Sequence, residues 1–195
     1  MSWFDGLIRR CVNRRCMYTA AAVAAFGITG LVGTAGSAVA HRAGYVVIDS
    51  CTGVSGTAQY SPGLLKTTKR KVQVVLSSTT SGCSDIFNGP ESGTGTFTAV
   101  LSGKASLASQ NYTGTFTINW PASSGFNPSN GTLTISESGG LENVTGTVTS
   151  GFDTGTAFAL QYATTGNTGK GTRRHPVKAQ TFTNTQPLTL SRNEG

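Results

Sequence analysis

The 195 residues include only two histidines, four cysteines and eight acidic residues, few imidazoles, thiols and carboxyls for acid–base, nucleophilic or metal chemistry. A Ser–His–Asp arrangement needs a histidine held rigidly by its neighbours. His41 stands near the start of the chain, and His175 precedes Pro176 in a basic, glycine-rich stretch, so neither fits that role. Glu137 with Glu142, and Asp85 with Glu91, have the residue types of a glycosidase carboxylate pair. No base, orienting group or oxyanion donor accompanies either pair. Asp85, Asn88 and Glu91 offer oxygens to Ca²⁺, at a spacing unlike any loop that supplies six or more. The expectation is therefore a non-enzymatic protein with no catalytic residue, no cofactor and no metal; a secreted hydrolase is the reading left over.

The basic residues point further. Lys66, Lys69, Arg70 and Lys71 form one cluster, and Arg173, Arg174 and Lys178 lie in a second. Lysines ahead of a strand protect edges from unwanted pairing and keep a protein soluble. The functional alternative is contact with a polyanion, such as an acidic cell-wall polymer or an anionic membrane surface. Nucleic acid fits less well, because no aromatic residues interleave with the basic ones. A different class of function follows from the apolar residues. Phe97, Phe116, Ile118, Trp120, Phe158 and Tyr162 could line a cavity for a small hydrophobic ligand, or could simply be core.

The beginning of the chain has to be set aside before these residues are placed. Arg9, Arg10, Arg14 and Arg15 precede an uncharged run over residues 16–40 that ends in Ala38-Val39-Ala40. That is the pattern of a secretory signal helix cut after a small-x-small site, giving a signal peptide at 1–40. The alternative is an uncleaved anchor at 16–40, since about 20 residues cross a bilayer. Either way the arginines stay inside and the remainder lies outside the cell. Losing Arg9, Arg10, Arg14, Arg15 and Asp5 lowers the formal net charge from +7 to +4. Cys11 and Cys16 leave as well, so Cys51 and Cys83 remain as an even pair in an oxidising compartment and are expected to form a disulfide.

Residues 41–195 read as a single β domain. A phrase recurs as Gly95-Thr96-Phe97-Thr98, Gly114-Thr115-Phe116-Thr117, Gly131-Thr132-Leu133-Thr134 and Gly146-Thr147-Val148-Thr149. Successive side chains leave a strand on opposite faces, so Phe97, Ala99 and Leu101 face a core while Thr96, Thr98 and Val100 face outward. The same period places Val72, Val74 and Leu76 inward, with Ser77 to Gly82 expected as a polar turn that delivers Cys83. Further expected strands are Tyr45 to Ile48, Val54 to Tyr60, a return strand over Lys104 to Ser109, Thr156 to Tyr162, and a closing strand over Val177 to Leu190. Residues 164–176 read as a flexible basic loop. The intervals between the repeated phrases shrink irregularly, which excludes a solenoid of fixed period. The fold class is all-β: an antiparallel β-sandwich or an up-and-down β-barrel of about eight strands, with a lean towards a sandwich or a partly open barrel.

Cys51-Thr52-Gly53, Ser61-Pro62-Gly63-Leu64 and Ser81-Gly82-Cys83, followed by Gly-Thr-rich alternating strands, resemble a group of small secreted proteins of high-GC Gram-positive bacteria. The resemblance covers most of residues 51–149 and implies export and the disulfide. No catalytic or binding residue carries over from it.

Overall fold

The computed structural model describes residues 45–193, so the signal segment at 1–40 lies outside the described residues. The strands are β1 (Tyr45–Leu64), β2 (Arg70–Asp85), β3 (Gly89–Pro90), β4 (Thr94–Ala105), β5 (Asn111–Asn119), β6 (Ser129–Ser138), β7 (Leu141–Ser150), β8 (Ala157–Thr168) and β9 (Val177–Asn193). All ladders are antiparallel, in the order β1-β9-β8-β7-β6-β5-β4-β2-β3, and a further β1–β2 ladder joins the two sides. The result is a closed up-and-down barrel of eight strands, with the two-residue β3 appended to β2. The sandwich and the partly open barrel are thus both replaced by full closure. β1 supplies it: over its length it pairs with β2 on one side and β9 on the other, which leaves it no free edge.

Three local expectations change. Ser77 to Gly82 is not a turn but the second half of β2. Ser78 and Thr80 continue the inward column of Val74 and Leu76, and the Ser78 hydroxyl donates to the Phe97 carbonyl at 3.0 Å. The return strand over Lys104 to Ser109 does not form; β4 runs on to Ala105 and a tight turn closed between Ser106 and Ser109 leads into β5. β8 extends to Thr168, so the basic connection shrinks to residues 169–176.

The inward column is apolar and the outward one is mostly threonine and serine. This is the reverse of a membrane barrel, whose apolar band faces lipid. Outside, Thr113, Thr134 and Thr145 stand side by side across three strands, and so do Thr115, Thr132 and Thr147. Among the described residues no helix is long and apolar enough to cross a membrane.

The glycines of the repeated phrase lie in the inward column. Gly131 is the register partner of Phe116, and a Cβ on it would stand 2.6 Å from that ring and 2.1 Å from the Thr147 carbonyl oxygen. Gly146 is likewise opposite Phe158. The Phe116 ring needs the space that Gly131 vacates, whereas a Cβ on Gly146 would meet the Thr132 carbonyl oxygen at 2.2 Å.

Candidate functional site

Antiparallel alternation gives the barrel two chemically different ends. The upper end carries the connections at 65–69, 106–110, 139–140 and 169–176; the lower end carries 86–93, 120–128 and 151–156, together with the start of β1 and the end of β9.

Every lysine and arginine between residues 45 and 193, except Arg192, belongs to the upper end. Lys66, Lys69, Arg70 and Lys71 occupy the β1–β2 connection and the start of β2. Lys170, Arg173, Arg174 and Lys178 occupy the β8–β9 connection and the start of β9, and Lys104 is near the end of β4. Backbone bonds knit these loops together. Lys66 N–H donates to the Gly171 carbonyl at 2.7 Å, Leu107 N–H to the Leu65 carbonyl at 2.8 Å, and Ala108 N–H to the Lys66 carbonyl at 3.2 Å. The two clusters separated by a hundred residues of sequence are therefore neighbours. Within the 169–176 connection, Lys170 N–H and Thr172 N–H both donate to the His175 carbonyl, and His175 N–H donates to the Thr172 hydroxyl. His175 is exposed on this loop.

Beneath the cationic rim the lumen is polar. The Tyr112 hydroxyl donates to Gln110 Oε1 at 2.9 Å, the Tyr60 hydroxyl contacts Gln110 and Gln180, and Gln180 Nε2 donates to Asn167 Oδ1 at 2.7 Å. Glu142 is buried on the same inward column as Val144 and Val148, and is the register partner of both Glu137 and Tyr162. Burial first, and the nearby Glu137 charge second, push its carboxyl up to about 7. Burial likewise raises the hydroxyls of Tyr60, Tyr112 and Tyr162. Glu137 and Glu142, the carboxylate pair noted from the sequence, are thus adjacent carboxyls facing inward under the rim.

The lower end gathers carboxylates. Asp49 and Asp85 are register partners on β1 and β2, both are buried, and Asp153 and Glu91 approach them. Arg192 stands 3.9 Å from Asp153 and makes the one ion pair among the described residues. Asp85 Oδ1 accepts from the Phe87 and Asn88 amides, the latter at 2.8 Å, so it serves as a turn cap for the 86–88 loop. Among the described residues no group of three or more His, Cys, Asp or Glu side chains is arranged to hold a metal ion. Asp49 is the carboxyl shifted furthest: desolvation first, then a hydrogen bond with Asp153 and the charges of Asp153, Asp85 and Glu91, hold it far above the ordinary carboxylate range.

That shift fixes the sign of a pH effect. Between the ordinary carboxylate range and its own raised pKa, Asp49 holds a proton in the folded barrel that the unfolded chain has released. Its contribution is complete in acid and is lost as pH rises; Glu142 acts in the same direction up to about 7. Denaturant midpoints are expected to fall from pH 5 to pH 8. Asp49→Asn, which keeps a donor towards Asp153, should flatten most of that slope and stabilise the barrel by about 1–3 kcal/mol at pH 8. An unchanged slope in the variant would show that Asp49 is ionised in the fold.

The proposed cavity residues are all buried. Phe97 on β4 and Phe158 on β8 project from diametrically opposite strands, yet their rings stack with centroids 5.5 Å apart, and Phe116 lies 4.8 Å from Phe158. At that level side chains fill the whole width of the lumen. Below it, Trp120 meets Phe126 and Phe152 edge-on and donates from Nε1 to the Ser129 hydroxyl at 2.9 Å, closing the lower end. Ile118 is fully buried on the same strand as Phe116, and Tyr162 lies nearer the cationic end against Phe182. Cys51 and Cys83 are register partners and form the disulfide.

Asp49 was the functional group that sequence reasoning did not single out, and Glu142 was noted only as a partner of Glu137, without its burial. Their signal was parity: Glu142 lies two residues before Val144, and Asp49 two before Cys51. No family model, curated protein or solved structure matches the chain.

Proposed function

We propose that this is an exported, non-enzymatic barrel whose upper end holds an acidic polymer of the cell wall. The observation that carries this reading is the collection of every described cation but Arg192, from three strands and two connections, around one end of the barrel. Carboxylates occupy the far end, and of the two inward-facing carboxyls beneath the rim Glu142 is buried and Glu137 half-buried. A field of that shape attracts a polyanion end-on, over about one Debye length, roughly 8 Å at physiological salt. The disulfide and the leader pattern at 1–40 support an extracellular address.

Retention on an acidic wall polymer should fall steeply as salt rises. Arg173→Glu with Arg174→Glu should elute at clearly lower salt, while stability changes by no more than about 0.5 kcal/mol, because both side chains are exposed. A variant retained as strongly as the parent would leave the cations as solubilising groups. Stronger retention on anionic lipid vesicles than on wall polymer would move the partner to the membrane surface.

A further inference from the structure

Lys71 and Lys104 are register partners on β2 and β4, and both point outward. Like charges directly opposite one another across an antiparallel pair repel and destabilise the sheet. Among the described residues no carboxylate forms an ion pair with them: the ion pair there is Arg192 with Asp153, at the other end. One step further from the rim, Ser61, Gln73 and Ser102 form a row across β1, β2 and β4, because Gln73 is the partner of both Ser61 and Ser102. The two lysines and this row line one hollow of about 520 Å³ on the outer wall, with Pro62, Val72 and Gly103.

We propose that this hollow is a seat for a single phosphate group. Two ammonium groups supply the charge, and two hydroxyls and a carboxamide supply neutral donors below them. That set suits a tetrahedral oxyanion with several terminal oxygens better than a planar carboxylate with two. A phosphate between Lys71 and Lys104 converts a repulsive pair into a bridged one. The lysines are therefore placed for a ligand rather than for the sheet. The seat names one phosphate-bearing class of polymer as the occupant of the cationic end and so rests on the preceding reading. It makes a separate prediction, because a free phosphate ion is enough to fill it.

The test titrates inorganic phosphate into the protein at constant ionic strength, with chloride as the exchanged ion. Backbone amide resonances of residues 71–73 and 102–104 are followed by NMR. The parent is expected to show saturable shifts confined to these strands. Lys71→Gln with Lys104→Gln should lose saturation, weakening phosphate binding about tenfold or more. Arg173→Glu with Arg174→Glu should keep it. Retention is then compared on a phosphodiester polymer and on a polycarboxylate of equal charge density. The Lys71/Lys104 variant should lose retention on the first several-fold more than on the second. No saturation in the parent, or equal losses on both polymers, overturns the seat, and the wider polyanion reading stands if salt-dependent retention persists. Saturation by phosphate without retention on any polymer upholds the seat and overturns that wider reading.

Discussion

Phe158→Ala is expected to cost about 3–5 kcal/mol, the range for deleting a buried aromatic ring whose space cannot collapse. The reason is the ring's position. Phe158 is buried, opposite Gly146 on β7, and stacked on Phe97 from the far side of the barrel. Strands locked into closed ladders cannot move in to fill the gap, so the void remains in the middle of the lumen. Denaturant unfolding at constant slope measures the loss. The same void is lined by Phe97 and Phe116 and should admit a benzene-sized apolar molecule, which would raise the variant's stability but not the parent's. A loss below about 1 kcal/mol, or a parent stabilised equally by the apolar molecule, would mean that the lumen is already open. The barrel would then be a carrier for a small hydrophobic ligand.

Replacing Cys51 and Cys83 together by serine should lower stability by about 3–4 kcal/mol, from the loop closed across a sequence separation of 32. Because the two residues already face each other in the β1–β2 ladder, the bond leaves the folded barrel's pairing as it is and acts on the unfolded chain. Slow, non-local pairing makes that matter. β1 must find β9 from the far end of the sequence before the barrel closes, and such contacts are entropically costly to assemble. Reduction by dithiothreitol should reproduce the loss in the parent and do nothing to the double serine variant. Equal midpoints for oxidised and reduced parent would remove the disulfide's role.

The alternation of Phe97, Ala99 and Leu101 against Thr96, Thr98 and Val100 was legible because period two is a local property of a pleated strand. So was the inward set Val72, Val74 and Leu76. Closure was not legible, since an open sandwich and a closed barrel demand the same period from every strand. Only the β1–β9 register, a contact across the whole domain, distinguishes them. Ser77 to Gly82 misled because composition outweighed parity. Serine and threonine are common in turns, yet inside a barrel they can hold an inward position by bonding to a neighbouring carbonyl, as Ser78 does. The juxtaposition of Lys66 with Gly171 had no sequence signature, because it depends on which loops share an end. Parity could have placed Glu142 and Asp49 inside; acidic side chains are so seldom buried that composition argued for the surface.

The β1–β9 ladder carries one further consequence. Tyr45 is the register partner of Asn193, so the first and last described residues lie side by side on adjacent strands at the carboxylate end. Covalent order is therefore separable from spatial order in this fold. A short glycine–serine linker between them, with the chain reopened at the exposed Gly139-Gly140 hairpin, retains every ladder of the cylinder in a circular permutant. Its new ends emerge beside the lysines and arginines instead of opposite them. Attaching the parent by either end to a bead presents the cations to solution, whereas attaching the permutant turns them towards the support.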